Sequence, residues 1–230
     1  MQSFYGCKGF VIVIFFVVVN FVPVPAQDFG MGLLLDDSLY ADSPTAAPLM
    51  RGDYIDLPAA SSLKSFTPVP GYQGPYGTCA GWSTGYAART ILEAMRNSWS
   101  GNTIDSNTFS PSFIYNQIRM NKECNSGTSL INALEVLKTQ GGLKLKDFAY
   151  DCEKEVTTLD KEKAKEYKII EYRDISAKEG NKILNVKKSI AEGRPVVIAM
   201  DVPISFNTAK ELWIPLESDY KNWSRGHAMT

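Results

Sequence analysis

The sequence predicts an α+β protein in which helices come first and strands follow. Between residues 79 and 140 apolar side chains recur at helical spacing in three blocks separated by small polar residues and glycine. Beyond residue 160 the texture changes to short alternating or β-branched runs around one amphipathic block. Ahead of both lies an apolar leader that belongs to neither.

The leader occupies residues 1–26. A short start carrying Lys8 precedes the apolar run 10–22, and Val24 and Ala26 have the small-residue spacing of a cleavage site. This pattern reads as a secretory signal peptide cut before Gln27. The run is shorter than the roughly 20 residues of a spanning helix. No stable membrane span is therefore expected after cleavage, and the protein is expected to be secreted or otherwise extracytoplasmic, periplasmic included. Residues 27–55 show no clean periodicity and are expected to form a loose N-terminal arm, too short to fold separately.

The folded domain is expected over 56–230, with a helical part at 56–160. Trp82, Tyr86, Ala87, Ile91, Leu92 and Met95 mark a central helix beginning near Cys79, with Gly81 and Gly85 tolerated if it is closely packed. Ser110 and Pro111 form a cap and first turn for a second helix. A third is capped by Thr128 or Ser129 and stopped at Gly141 and Gly142. The charged stretch 151–168 reads as a solvated linker face. In the strand-rich part, 161–230, strands are expected at 167–175, at 194–202 as a buried run, around Trp213 and Ile214, and at His227. An amphipathic helix is expected at 181–193.

Of 230 residues, 44% are hydrophobic and 21% charged, ordinary values for a globular chain. The formal net charge of -1 lacks the basic face a nucleic-acid partner requires. Once the leader is removed, Cys79, Cys124 and Cys152 remain, an odd number in a compartment where disulfides persist. That count suggests one pair and one free thiol. No two potential ligands show close metal-site spacing, so neither a metal nor a cofactor is expected. The triplet 222–224 fits a glycosylation acceptor.

Cys79 stands where a glycine-rich turn meets a helix start, a position that lowers a thiol's pKa. A nucleophilic thiol also needs an imidazole, and the chain has one histidine, His227, which lies 148 residues downstream. "QGPYGTCAGWS" (73–83) resembles the nucleophile segment of the papain-like cysteine peptidases, and "GHAM" (226–229) resembles that family's histidine segment. The resemblance runs from about residue 54 onward and implies a papain-like two-lobe fold. Its helical first lobe would carry the central helix starting at the nucleophile, and its β-rich second lobe would be incomplete here.

The resemblance further implies Cys79 and His227 as the catalytic pair, with Gln73, six residues before the nucleophile, as oxyanion donor. "CNSG" (124–127) is similar to the family's segment that binds substrate main chain, which points to Ser126 and Gly127. Where the family often has a cysteine three residues before the nucleophile, this chain has Tyr76, so Cys124 is left with Cys152 as its candidate partner. The family's histidine-orienting asparagine would lie beyond Thr230. The implied partner is a protein or peptide substrate. Two further readings keep the same fold: a catalytically silent binding module, and a Cys–His amidase or acyltransferase acting on cell-wall peptides.

Overall fold

The computed structural model describes residues 30–47, 57–176, 182–221 and 223–230. The expected signal peptide and the ends of the arm, 27–29 and 48–55, lie outside the described residues, as does Asn222 of the glycosylation triplet.

The central helix is continuous but not uniform. An α turn, Cys79–Gly81, passes into a π-helical stretch, Trp82–Arg89, and returns to α over Thr90–Arg96. The change begins where two hydroxyls compete for one carbonyl. Ser83 Oγ and Thr84 Oγ1 both donate to Ala80 O, at 3.2 and 2.6 Å. Gly81 lets this helix meet its neighbour closely, since a Cβ there would lie 2.4 Å from Pro111 O. That neighbour, Pro111–Tyr115, is capped as its sequence implies, with Ser110 Oγ accepting from Phe113 N at 3.2 Å. The third helix is Leu130–Thr139, capped by Ser129 Oγ on Asn132 N at 3.1 Å.

These three helices enclose the core. Phe113 and Ile114 from the second, and Leu130, Ala133, Val136 and Leu137 from the third, join Cys79 and Ala80 in one buried cluster. Phe148 packs edge-on against Phe113, with ring centroids 5.8 Å apart. At the far end of the central helix, Arg89 is buried between Glu93 (2.7 Å) and the ring of Phe109, its charge paired and stacked.

The C-terminal part differs from expectation. Its sheet has two strands, β1 (Ile198–Pro203) and β2 (Trp223–Met229), antiparallel with Met200 opposite His227. No strand forms at 167–175, where Ile170 is 93% exposed and only Asp174 makes an isolated bridge, to Thr45. None forms at Trp213 or Ile214 either; Trp213 Nε1 instead donates to Ser205 Oγ. The run at 194–202 pairs only from Ile198, and most of it is partly exposed, because β1 has a single neighbour. The β-rich second half is therefore, among the described residues, a small sheet with 3-10 turns and the expected helix, Lys182–Ala191. Within the charged linker the structure places a helix, Thr158–Ala164. A reciprocal capping box between Thr157 and Asp160 opens it.

Candidate active site

Cys79 opens the central helix and is fully buried. Its sulfur is surrounded by backbone groups of Gly32, Ala228, Ala80 and Cys79 itself. Burial pushes the thiol up from its ordinary pKa, and these backbone donors pull less strongly the other way. Among the described residues Cys79 is the free cysteine, while Cys124 and Cys152 are joined in a disulfide.

His227 lies on β2, half-buried, and burial pushes its imidazole below the ordinary value. Its Nδ1 is buried without a hydrogen-bond partner among the described residues. The strand approaches the nucleophile through the next residue, Ala228, whose backbone touches the Cys79 sulfur. The end of the strand is tied to the central helix by Thr230 Oγ1, which donates to Ser83 O at 2.8 Å. The fold thus brings the histidine segment to the helix start.

Gln73 sits on the turn that leads into Cys79. Its Nε2 donates to Tyr76 O and to Gly30 O, both at 2.7 Å. Tyr150, which the sequence reading did not single out, holds this turn. Its hydroxyl donates to Gln73 O at 2.7 Å and so accepts from Thr78 Oγ1 at 2.8 Å. Its ring stands edge-on to Trp82, 5.0 Å away.

The segment carrying Ser126 and Gly127 forms the other bank. Gly77 N donates to Cys124 O at 2.9 Å, linking this segment to the nucleophile turn. The buried Tyr115 hydroxyl faces the carbonyls of Cys124 (3.0 Å) and Ser126 from below. Ser126 itself is buried, its Oγ accepting from Asn121 N. The main-chain groups of this bank that meet another strand belong to Thr128, one residue beyond the pair expected. Thr128 N donates to Gly32 O at 2.9 Å, and Leu34 N donates to Thr128 O at 3.0 Å.

That other strand is the N-terminal arm. Residues 30–33, expected to be loose, are buried, with Leu33 bridged to Thr128 on one side and to Gly226 on the other. Gly30 N donates to Gly74 O at 3.2 Å, and Leu33 N to Gly226 O at 3.1 Å. The fit depends on missing side chains. A Cβ on Gly30 would lie 2.0 Å from Tyr76 O, and one on Gly32 2.2 Å from Gly77 O. Composition alone marked the arm as loose; the signal available was the Gly-Met-Gly spacing followed by three leucines. Past the cleft the arm forms the short helix Asp37–Ala41 and is anchored where Ala46 N donates to Asp174 O and Asp174 N to Pro44 O.

Among the described residues no group of His, Cys, Asp or Glu is arranged to hold a metal, and no helix is long and apolar enough to cross a membrane.

The solved structure of xylellain, a cysteine protease from Xylella fastidiosa, is similar to this chain with a TM-score of 0.65 and 21% sequence identity. The match covers 88% of this chain and 79% of that one. No protein-family model and no curated protein matches the chain. The likeness shows the fold alone: the helix-rich body with its small sheet is similar to the structure of that protease.

Proposed function

We propose that the chain is an exported cysteine-type peptidase of the papain-like kind, hydrolysing peptide bonds through Cys79 and His227. The observation that carries this reading is the arm. An extended peptide lies beside Cys79, takes the side chain of Gln73, and pairs with Thr128 on one bank and Gly226, next to His227, on the other. A groove that receives peptide main chain at a buried free thiol, in a cysteine-protease fold, has the parts peptide hydrolysis needs. Export is supported by the apolar leader and by the Cys124–Cys152 disulfide.

In the mechanism, His227 takes the Cys79 proton and the thiolate adds to the scissile carbonyl carbon. The Gln73 amide and the Cys79 backbone N–H receive the oxyanion; one such donor is worth about 10²–10³ in rate. As the C–N bond breaks, His227 returns the proton to the departing amine. Water, deprotonated by His227, then displaces sulfur from the acyl group, releasing the acid and restoring the thiol. The Tyr150 hydroxyl donates to the Gln73 carbonyl and the Gln73 amide donates to Tyr76 O, which fixes the residue on the turn that leads into Cys79.

The test is hydrolysis of a peptide library followed by mass spectrometry, comparing the parent chain with Cys79→Ala and His227→Ala. Cleavage that disappears in both variants is expected. Cleavage undiminished in Cys79→Ala would overturn the reading. Peptide binding with no cleavage, even when the arm is displaced, would favour the silent binding module.

A further inference from the structure

We infer that Tyr72 and Tyr76 form an aromatic slot on the turn that carries Gln73, and that the slot takes an aromatic side chain from the second residue of the substrate's amine half, the half that departs as the acyl-enzyme forms. The inference rests on the peptidase reading for the reaction, and on separate observations for the slot.

The slot is built around a missing side chain. Gly74 has a φ of 69°, which accounts for glycine at this position. The atoms nearest to a Cβ placed there would be ring carbons of Tyr72, at 3.8 Å, and of Tyr76, at 3.8 and 3.9 Å. These are ordinary contact distances, so an apolar carbon entering here touches both rings and displaces neither. Tyr72 is 65% exposed and Tyr76 38%, so the rings are open to a ligand. One exposed tyrosine needs no explanation; two that reach the same point, in the turn that holds Gln73, point to a ligand.

The turn is braced from behind. The ring of Trp82 lies within 2.4 Å of where a Cβ on Gly71 would be, and the Tyr86 hydroxyl donates to Val69 O at 2.7 Å. Tyr150 stands edge-on to Tyr76, ring centroids 6.5 Å apart, and its hydroxyl donates to Gln73 O at 2.7 Å. The slot and the Gln73 amide are therefore braced by the same residue, and a ring held in the slot is positioned relative to the scissile bond.

The arm supplies the distance. Gly30 N donates to Gly74 O, while the backbone of Gly32 touches the Cys79 sulfur. Main chain passing Cys79 thus reaches Gly74 two residues on, about 7 Å away. On the other side of the sulfur, Leu34 N donates to Thr128 O, and Leu33 N to Gly226 O. That side pairs with main chain on two edges, which suits the acyl half, because it must stay bound through both steps. The turn at 72–76 offers one carbonyl and two rings, which suits the half that leaves first.

The experiment has a binding arm and a reaction arm. Three probes are used: glycyl-phenylalanine amide, glycyl-alanine amide and phenylalanyl-glycine amide. By saturation-transfer NMR on Cys79→Ala, the first should bind about three- to tenfold more tightly than the other two. Adding Gly74→Asn, which tolerates a positive φ and fills the slot, should abolish that margin. Adding Ile170→Ala, at a fully exposed site elsewhere, should leave it unchanged. In the parent chain, each probe is added during peptide hydrolysis to intercept the acyl-enzyme. The amine nitrogen adds to the thioester carbon and loses one proton to His227. The C–S bond then breaks, a new peptide bond remains, and the freed Cys79 thiolate takes that proton. The ratio of transfer to hydrolysis product, read by mass spectrometry, should be about three- to tenfold higher for glycyl-phenylalanine amide. That excess should vanish in Gly74→Asn and in Tyr76→Ala. Equal binding of the three probes, or a margin that survives Gly74→Asn and Tyr76→Ala, would overturn the slot, and cleavage in the same assays would leave the peptidase reading standing. Selective binding abolished by Gly74→Asn, with neither cleavage nor transfer in the parent, would uphold the slot and sink the peptidase reading instead.

Discussion

Displacing residues 30–34 from beside Cys79 should change not only how fast its thiol reacts but how the rate depends on pH. In the parent, burial holds the thiol above its ordinary pKa and the imidazole below its own, so both groups are neutral at neutral pH. An ordinary thiol with a pKa of about 8.5 is ionised in only about one molecule in a thousand at pH ~5.5. Thiols paired with an imidazole at a helix start fall to about 3.5–7.5. At the low end of that range Cys79 would be almost wholly thiolate, a gain of about a thousandfold in population. Intrinsic nucleophilicity falls by about 0.4–0.5 log units per pKa unit, or about a hundredfold over that span. The net gain at pH ~5.5 is then about tenfold, before any gain in access. Access multiplies the rate equally at every pH, so the slope separates the two effects. With Gly30→Ala/Gly32→Ala, the logarithm of the iodoacetamide rate at Cys79, followed by peptide mapping, should be nearly flat between pH ~5 and ~8. Adding His227→Ala should restore a rise of about one log unit per pH unit. A full slope in the Gly30→Ala/Gly32→Ala chain with His227 intact would refute the ion pair.

Three further outcomes are expected. Replacing Cys124 and Cys152 by serine opens a loop with a sequence separation of 28 and should cost about 3–4 kcal/mol, read as a fall of about 10 °C in calorimetric Tm. Tyr150→Phe removes the hydroxyl between Gln73 and Thr78; stability should drop by about 1–2 kcal/mol and kcat should fall more than KM rises, with an unchanged KM-to-kcat balance contradicting a positioning role. Burial alone would raise the Glu93 carboxyl, but Arg89 and Asn97 outweigh it and hold it below the ordinary range. Its stabilisation is thus complete above the unfolded pKa of about 4.3 and lost as pH falls through the lower folded value. Glu93→Gln should cost about 3 kcal/mol at neutral pH and flatten the acid limb of urea midpoints measured against pH.

The elements legible from sequence were those stabilised locally. Ser110 with Pro111, and Ser129 three residues before Asn132, satisfy helix-end donors with neighbours in sequence; spacing located the first start and narrowed the other cap to Thr128 or Ser129, of which the structure uses Ser129. The Thr157–Asp160 capping box is equally local, but it was hidden inside a charged run read as solvated. Strands were the weak point. An alternating run such as 167–175 becomes a strand only if another strand comes alongside, and among the described residues it meets just the isolated bridge from Asp174 to Thr45. The same limit applied at the site. Cys79, Gln73 and His227 were visible as residue types at telling spacings, while Thr128, Tyr115 and Tyr150 contribute backbone edges and distant hydroxyls that no spacing displays.

The arm shows why composition misjudged this chain. The arm was read as loose because it shows no clean periodicity, and Gly30 and Gly32 carried no weight in that reading. In the fold they are the most tightly contacted positions of the arm, chosen because nothing larger passes Tyr76 and Gly77. Their effect reaches the chemistry. With the arm in place, Cys79 is fully buried and His227 half-buried, and desolvation opposes charge on both. Displacing the arm would lessen the desolvation of Cys79 and remove its Gly32 donor, while the helix-start donors of Ala80 and Cys79 remain where they are. One short segment with no charged side chain thus bears on the ionisation of the Cys79 thiol. It does so by displacing solvent, which is why no electrostatic motif in the arm announced it.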